Sequence, residues 1–380
     1  MLCGARGEGC LLLAAGQTTG GGVQGRVRSC GGGAVRPVGG TRVIVNGSSK
    51  GAGEGFAEGR RSRGGDGFWL PFEKWEGLGN DYIYVDLAEV EAPGEVRARA
   101  ASLSRVLSDR HFGVGGDGLV LIGEEGGLAR MWMYNADGSL GSLCGNALRC
   151  VGKYLAEREP DRISRGLRVG TDSGVKTLSF EGREGRVEQV LAEMGEPIFE
   201  SAAIPFLPGE DLEVLGGGGD RPYRVALELE GERREASVLS VGNPHLVVFL
   251  EEDPADLDLE RWGPGLESAR AFPDRANVEF VRVEEGGIRQ RTYERGSGET
   301  LACGSGACAV AVAAVDRGFF GRGEAIPVRL RGGTLQIGWK EDGGLWMRGP
   351  ARRVFEGRVW VDLLEEARGG DVDSSREGSA

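Results

Sequence analysis

From Phe68 onward, apolar and polar positions alternate in short runs separated by Gly and Asn. A period of two, broken by turn residues, predicts strands. FWLPFEKWEGLGNDYIYVDL reverses at a Gly-Asn turn and predicts a hairpin-like strand pair. A helical run follows over residues 96–112, then a turn at 113–118, a strand at LVLI (119–122) and a strand in ARMWMYNADGS. Cys144-Gly145-Asn146 opens a helix, ALRCVGKYLAE, and residues 165–200 read as short strands between Gly turns. A second series repeats this order. VLSVGNPHLVVFL is a strand pair about Gly-Asn-Pro, DPADLDLERWGPGLE is helical in part, and ANVEFVRV and IRQRTYE are strands. PVRL, LQIGW, LWMRG and ARRVFEGRVWVDL are the closing strands. The run Ala307 to Val315 is different, with nothing polar beyond the Cys308 thiol. A helix that is apolar on every side belongs inside a core.

Cys303-Gly304-Ser305-Gly306 stands where a Gly-rich loop enters that helix. The unpaired N–H groups and positive dipole end of a helix N-terminus lower a thiol's pKa and hold carboxylates. Alone, Cys303 is equally well a small packing residue, the usual fate of a free Cys. A second copy of the arrangement changes that. Asn80 in GLGND matches Asn243 in SVGNPH, and Cys144 matches Cys303 at nearly the same offset along the chain. Asn135 stands nine residues before Cys144, and Glu294 nine before Cys303. Such a duplication predicts two similarly folded α/β (α+β) domains facing each other, with a site in the cleft between them. Two thiols on opposite walls can act as two bases. One, as thiolate, removes a proton from a carbon acid. The other, as thiol, returns a proton to the opposite face, and the centre inverts. The carbon acid has to lie beside a carboxylate, which the N–H groups of Gly145, Asn146, Gly304 and Ser305 are placed to hold.

Composition narrows the class. Hydrophobic residues make up 40% of the 380, enough for a core. The net charge of −12 argues against nucleic acid or an anionic membrane surface as partner. No run approaches the ~18 apolar residues of a transmembrane helix. Seven Cys without a CxxC pair, and only two His (His111 and His245), speak against a disulfide scaffold and a metal site and suit a reducing cytosol. Residues 1–68 stand apart, with 21 Gly and nine Arg or Lys against four Asp or Glu, so the remainder carries −17 (−12 minus +5). This segment is expected to be disordered, as is the tail 366–380. An acid-poor, Arg-containing start also fits a transit peptide, which would place the protein in a plastid instead of the cytoplasm. The folded part is expected to divide into 69–188, completed by a C-terminal strand at 351–365, and 189–350.

The motifs NADGS…CGNALRC and YERGSGETLACGSGA resemble the two active-site motifs of the diaminopimelate epimerases, pyridoxal-independent enzymes of lysine and peptidoglycan-precursor synthesis. GLGNDYIYVD, HFGVGGDGLVLI, GNPH and RANVEF match the family's other motifs in order. The resemblance implies two pseudo-symmetric domains, each a curved, mostly antiparallel sheet round a central helix. It also implies a homodimer, an amino-acid substrate and no cofactor. It makes Cys144 and Cys303 the catalytic thiols. Asn80, Asn135, Asn243, Asn277, Glu294 and Arg295 fall on substrate contacts, and Gly145-Asn146 and Gly304-Ser305 on the cradle of the α-carboxylate. Three positions depart from the family pattern: Glu76 stands for a common His, Ala147 for Gly, and Gly118 for Gln. Proline racemases and hydroxyproline epimerases are the first rival, since they also use two cysteines but do not need a distal Arg.

Other residues carry plainer readings. Cys150 and Cys308 follow the first thiols by six and five residues, so at about 100° per residue they point elsewhere and pack. His245, after Asn243-Pro244, reads either as a turn histidine or, with the resemblance, as an auxiliary catalytic group acting on Glu294 or Cys303. His111 carries no assigned role. Glu294-Arg295 could be an ordinary surface pair; beside the Gly-rich turn they read as anchors, with Arg295 on a distal carboxylate. Gly113 to Gly118 fits G-x-G-x-x-G, but a helix precedes it and a strand follows, the reverse of a dinucleotide loop.

Overall fold

The computed structural model describes residues 42–45, 67–141, 143–183 and 185–362. The tail 366–380 and nearly all of 1–68 lie outside the described residues, so their expected disorder does too. Arg42–Val45 is an exception: it is a strand, paired antiparallel with the last one. Three of its four residues, Val43, Ile44 and Val45, are β-branched, which suits a strand.

The duplication is written into the strand order. In the first half, neighbouring strands run Arg352–Asp362, Gly67–Gly77, Asn80–Asp86, Gly118–Glu125, Leu128–Asn135, Leu167–Thr171, Gly174–Arg183 and Arg186–Gly195. In the second they run Tyr223–Leu229, Glu232–Ser240, Pro244–Phe249, Asn277–Glu284, Gly287–Glu294, Ile326–Leu330, Gly333–Trp339 and Leu345–Gly349. In both halves the third and fourth strands are parallel, the fifth and sixth are parallel, and all other neighbours are antiparallel. Elements starting at 118, 128, 145, 167, 174 and 186 recur at 277, 287, 304, 326, 333 and 345, all at the one offset that separates Cys144 from Cys303. The last strands of the two halves, Arg186–Gly195 and Leu345–Gly349, pair antiparallel and join them.

Parallel neighbours need a crossover, and that requirement positions the helices. The second crossover of each half is its central helix, Gly145–Arg158 or Gly304–Asp316. Both helices share one apolar core, in which Leu148, Val151, Val310, Val312 and Ala313 are fully buried. The second helix stops where its sequence stops favouring one. Gly318 takes the left-handed φ of +80°, and the Phe319 N–H returns to the Ala314 carbonyl. Ala311 has no exposed surface. Replacing it by Leu is expected to destabilise the protein by about 1–3 kcal/mol through overpacking, read as a lowered thermal midpoint.

Two expectations are corrected. The helix over 96–112 is two pieces, Pro93–Ala98 and Ala100–Ser108. Asp109 ends it, because its carboxylate takes the N–H groups of His111 (2.7 Å) and Phe112 (2.8 Å). The expected pair about Gly-Asn-Pro is there, Glu232–Ser240 with Pro244–Phe249, but its first strand begins earlier and pairs with Tyr223–Leu229, which has no counterpart among the expected strands; the charged positions around the Glu230-Gly231 turn mask the alternation. Among the described residues no helix is long and apolar enough to cross a membrane.

Candidate active site

Each central helix is preceded by a hairpin, Leu128–Asn135 with Leu140–Gly141 or Gly287–Glu294 with Gly298–Thr300. The hairpin returns the chain so that a cysteine becomes the residue just before the helix. Both cysteines have extended backbone there, Cys144 at φ −124°, ψ 117° and Cys303 at φ −107°, ψ 111°. Helix geometry leaves the first N–H groups, including those of Gly145, Asn146, Gly304 and Ser305, without an intrahelical carbonyl. Cys303 Sγ accepts the Gly306 N–H at 3.4 Å and lies 3.5 Å from Ser305 Oγ. Cys144 Sγ donates to Asn80 Oδ1 at 3.1 Å.

The two helix starts meet. Asn146 Nδ2, in the first turn after Cys144, donates to the carbonyl of Ala302, the residue before Cys303, at 2.9 Å. Gly145 and Gly304 face one side chain: an added Cβ would lie 2.6 Å from Met347 Cε at the first and 3.0 Å from Met347 Sδ at the second. Met347 sits on the strand that joins the halves. The absence of side chains at 145 and 304 therefore lets both helix N-termini close on the seam. The Leu78-Gly79 turn clamps the same region. Its Leu78 carbonyl occupies the place of a side chain at Gly332, and Gly79 abuts Leu301.

Around Cys303 the second half supplies a buried polar cluster. Glu294 accepts from Thr300 Oγ1 at 2.5 Å. His245, fully buried, has Nδ1 2.9 Å from Glu279 Oε1 and Nε2 3.0 Å from Asn243 Oδ1. A Cβ on Gly306 would lie 2.5 Å from Glu279 Oε1 and 3.2 Å from Cys303 Sγ, so thiol and carboxylate flank the same glycine. Asn277 ties the segments together, donating to the Pro244 carbonyl (3.2 Å) and accepting the Arg295 N–H (2.9 Å). Glu294 and Arg295 part company. The Arg295 guanidinium is exposed, donates to the Asp274 carbonyl at 3.1 Å, and pairs with no carboxylate among the described residues. Asn135 donates to Ser139 Oγ at 2.9 Å inside its own hairpin turn and pairs across the sheet with Gly118.

The expected lowering of the thiol pKa is overturned. Burial pushes the Cys144 thiol up; the N–H groups of Ala147 and Asn146 pull it down, and Glu294 adds to the rise. Cys303 is held well above an ordinary thiol, first by burial, then by the carboxylates of Glu294 and Glu279, which the Ser305 hydroxyl and Gly306 N–H only partly offset. The dipole end of the helix is present but loses to desolvation and like charge. Burial also raises the Glu294 carboxyl. We expect iodoacetamide at pH 8 to modify Cys144 faster than Cys303, which peptide mapping would show; the reverse order would contradict these electrostatics. Cys150 and Cys308 are fully buried with thiols pushed up to about 12, as packing residues. His111 is exposed at the turn after Asp109.

Two site residues escape sequence reasoning. Glu279 lies in ANVEF, and its signal is a carboxylate between Val278 and Phe280 in the buried first part of a strand. Asp117 lies in the GVGGDG turn. Two of the three departures from the family pattern are absorbed locally. Glu76 accepts from the Gly79 N–H at 2.9 Å and from Arg352 at 2.9 Å. Ala147 lies buried past the two cradle residues.

The sequence model of the family described as Diaminopimelate epimerase matches residues 72–200 and 237–354. A diaminopimelate epimerase of Leptospira biflexa is 41% identical over 295 residues, covering 77% of this chain and 99% of the relative. One of Acetivibrio thermocellus is 43% identical over 301 residues, covering 78% and 100%. Among solved structures, a hydroxyproline epimerase from Agrobacterium vitis superposes with TM-score 0.54 at 15% identity, over 81% of this chain and 95% of that one, a likeness of fold. The paired cysteines before two converging helices, the motifs around them and the length of the match lead to one assignment: the chain belongs to the diaminopimelate epimerase family.

Proposed function

We propose that this protein interconverts LL- and meso-2,6-diaminopimelate by proton transfer at one α-carbon, with Cys144 and Cys303 as the two acid–base groups. The observation that carries the reading is the convergence of two helix N-termini, each headed by a thiol, on Asn146 and Met347. The substrate's α-carboxylate is held by the N–H groups of Gly145, Asn146, Gly304 and Ser305. Its α-proton then lies between the sulfurs, and charge developing on the carbon is met by the same donors in a site with little water. Asn80, Asn135, Asn243 and Asn277 supply amides that both donate and accept, as a zwitterionic amino-acid end requires. His245 and Glu294 serve Cys303 as auxiliary acid–base groups.

Incubation with diaminopimelate and with proline, side by side in deuterium oxide and without cofactor, tests the reading. Deuterium enters the diaminopimelate α-position as the isomers equilibrate. Exchange with proline alone would overturn it in favour of a proline racemase.

Arg295 separates the two substrates. Its guanidinium has no carboxylate partner among the described residues and is free to grip the far carboxylate. Arg295→Met is expected to raise KM for diaminopimelate by about 10- to 100-fold, the worth of one charge-assisted hydrogen bond, with a smaller change in kcat. A KM within twofold of the parent would remove Arg295 from the site. The same reading extends to a homodimer in the cytoplasm, or in a plastid if residues 1–68 are a transit peptide.

A further inference from the structure

The GVGGDG turn does not have the order of a dinucleotide loop, yet it brings a carboxylate to the neighbour of the first thiol. Asp117 Oδ2 accepts from Asn80 Nδ2 at 2.7 Å and from the Asp81 N–H at 3.0 Å. Its other oxygen takes Arg110 Nη2 at 2.8 Å. Arg110 also grips Asp81 with both terminal nitrogens, at 3.2 and 2.7 Å, and the buried Lys74 Nζ lies 2.7 Å from Asp81 Oδ2. The backbone fixes the turn as well: the Asp117 N–H donates to the Asp81 carbonyl at 2.7 Å, and the Ala136 N–H to the Asp117 carbonyl at 3.1 Å.

This bracing decides which way the Asn80 amide points. An amide's two ends are distinguished by their partners, and a carboxylate salt-bridged to arginine accepts hydrogen bonds and donates none. Asn80 therefore presents its NH₂ to Asp117 and its carbonyl oxygen to Cys144 Sγ, 3.1 Å away. Asn146 Nδ2, 3.4 Å from the same oxygen, agrees with that orientation. A carbonyl facing the sulfur accepts from the thiol and opposes the thiolate; an NH₂ there would do the reverse.

We propose that Asp117 is a positioning residue, which locks the Asn80 amide with its carbonyl on the Cys144 thiol and so keeps that thiol protonated and aimed for delivery. The Tyr82 hydroxyl also neighbours Asn80, but a hydroxyl both donates and accepts, so it does not distinguish the amide's two ends. Tyr82, Arg149 on the thiol's own helix and Glu294 from the other half also face Cys144, and all three remain in the variants below.

The inference rests on the two-thiol reading for its effect on turnover, but not for its effect on the sulfur. The test therefore measures both on the full chain. The pH dependence of iodoacetamide modification at Cys144, followed on its peptide by mass spectrometry, is expected to shift to lower pH by about one unit in Asp117→Ala, because the freed amide can turn its NH₂ to the sulfur. Turnover of diaminopimelate is expected to fall about 10- to 100-fold, mainly in kcat, as a misaimed proton donor would cause. Asp117→Asn keeps an inward oxygen for Asn80 and is expected to restore most of both. Should the alanine variant not fold, Asp117→Glu keeps the charge but displaces the carboxylate by a methylene, and is expected to move both readouts in the same direction. An unchanged Cys144 profile in a folded Ala or Glu variant overturns the proposal. Parent protein that modifies normally but turns over no diaminopimelate would overturn the function instead and leave this result standing.

Discussion

Cys144→Ala and Cys303→Ala are each expected to lower kcat/KM for diaminopimelate by about 10³-fold or more, toward the upper range of a lost acid–base group. The reason is geometric. Each thiol heads a different helix, and in the proposed mechanism each serves one face of the carbon, so neither can take over the other's step. The surviving thiol can still remove and return a proton on its own side. The single variants are therefore expected to retain slow α-deuterium exchange without inversion, each with a preference for one stereoisomer. A loss of both exchange and inversion together with a collapsed fold would mean something else, and stability has to be followed alongside. Cys303 Sγ also receives the Gly306 N–H, so alanine removes a helix cap as well as an acid. Cys303→Ser keeps a cap acceptor while providing a far poorer base. Serine and alanine variants that are equally inactive, with the serine protein as stable as the parent, assign the loss to chemistry. Full activity in either alanine variant would end the two-base mechanism.

The residues that make this mechanism legible are those whose chemistry depends on local sequence. Cys303 is placed at a helix start because a Gly-rich run meets an apolar one, and Cys144 because the same order of segments stands earlier in the chain. That spacing carries further than the motifs: six element starts repeat at the same offset. Distance in the chain hides the rest. Glu279 reaches the thiol region by the parallel pairing of Asn277–Glu284 with Pro244–Phe249, which sets Asn277 opposite His245. Asp117 acts on Asn80 across a pairing of the same kind in the first half. Parallel neighbours are linked by crossovers, so no short window contains both partners. The direction of the thiol shifts is hidden in part for the same reason. The helix end is visible in sequence, and so is Glu294 nine residues before Cys303; the burial that outweighs the helix end first, and the Glu279 carboxylate that adds to it, come from the packing of other strands.

Glu279→Gln separates these electrostatic and positional parts, and the two are expected to move in opposite directions. Glu279 is fully buried, with Oε1 on His245 and Oε2 without a hydrogen-bond partner. The amide has nearly the same shape and fills the same space. Its charge is gone, so one of the two carboxylates that hold the Cys303 thiol up is removed. The sign follows directly: a nearby negative charge disfavours the thiolate, and neutralising it lets the thiol titrate at lower pH. Cys303 is thus expected to react with iodoacetamide at lower pH than in the parent, while Glu294 and burial keep it above an ordinary thiol. Turnover is nevertheless expected to fall about 10²-fold, because a carboxylate on one ring nitrogen fixes which way an imidazole presents the other, and an amide does so poorly. A more available thiolate with slower catalysis would show that alignment through His245, and not thiol acidity, limits this half of the site. A Cys303 profile displaced toward higher pH would refute the electrostatic account, and unchanged turnover would remove the His245–Glu279 pair from the mechanism.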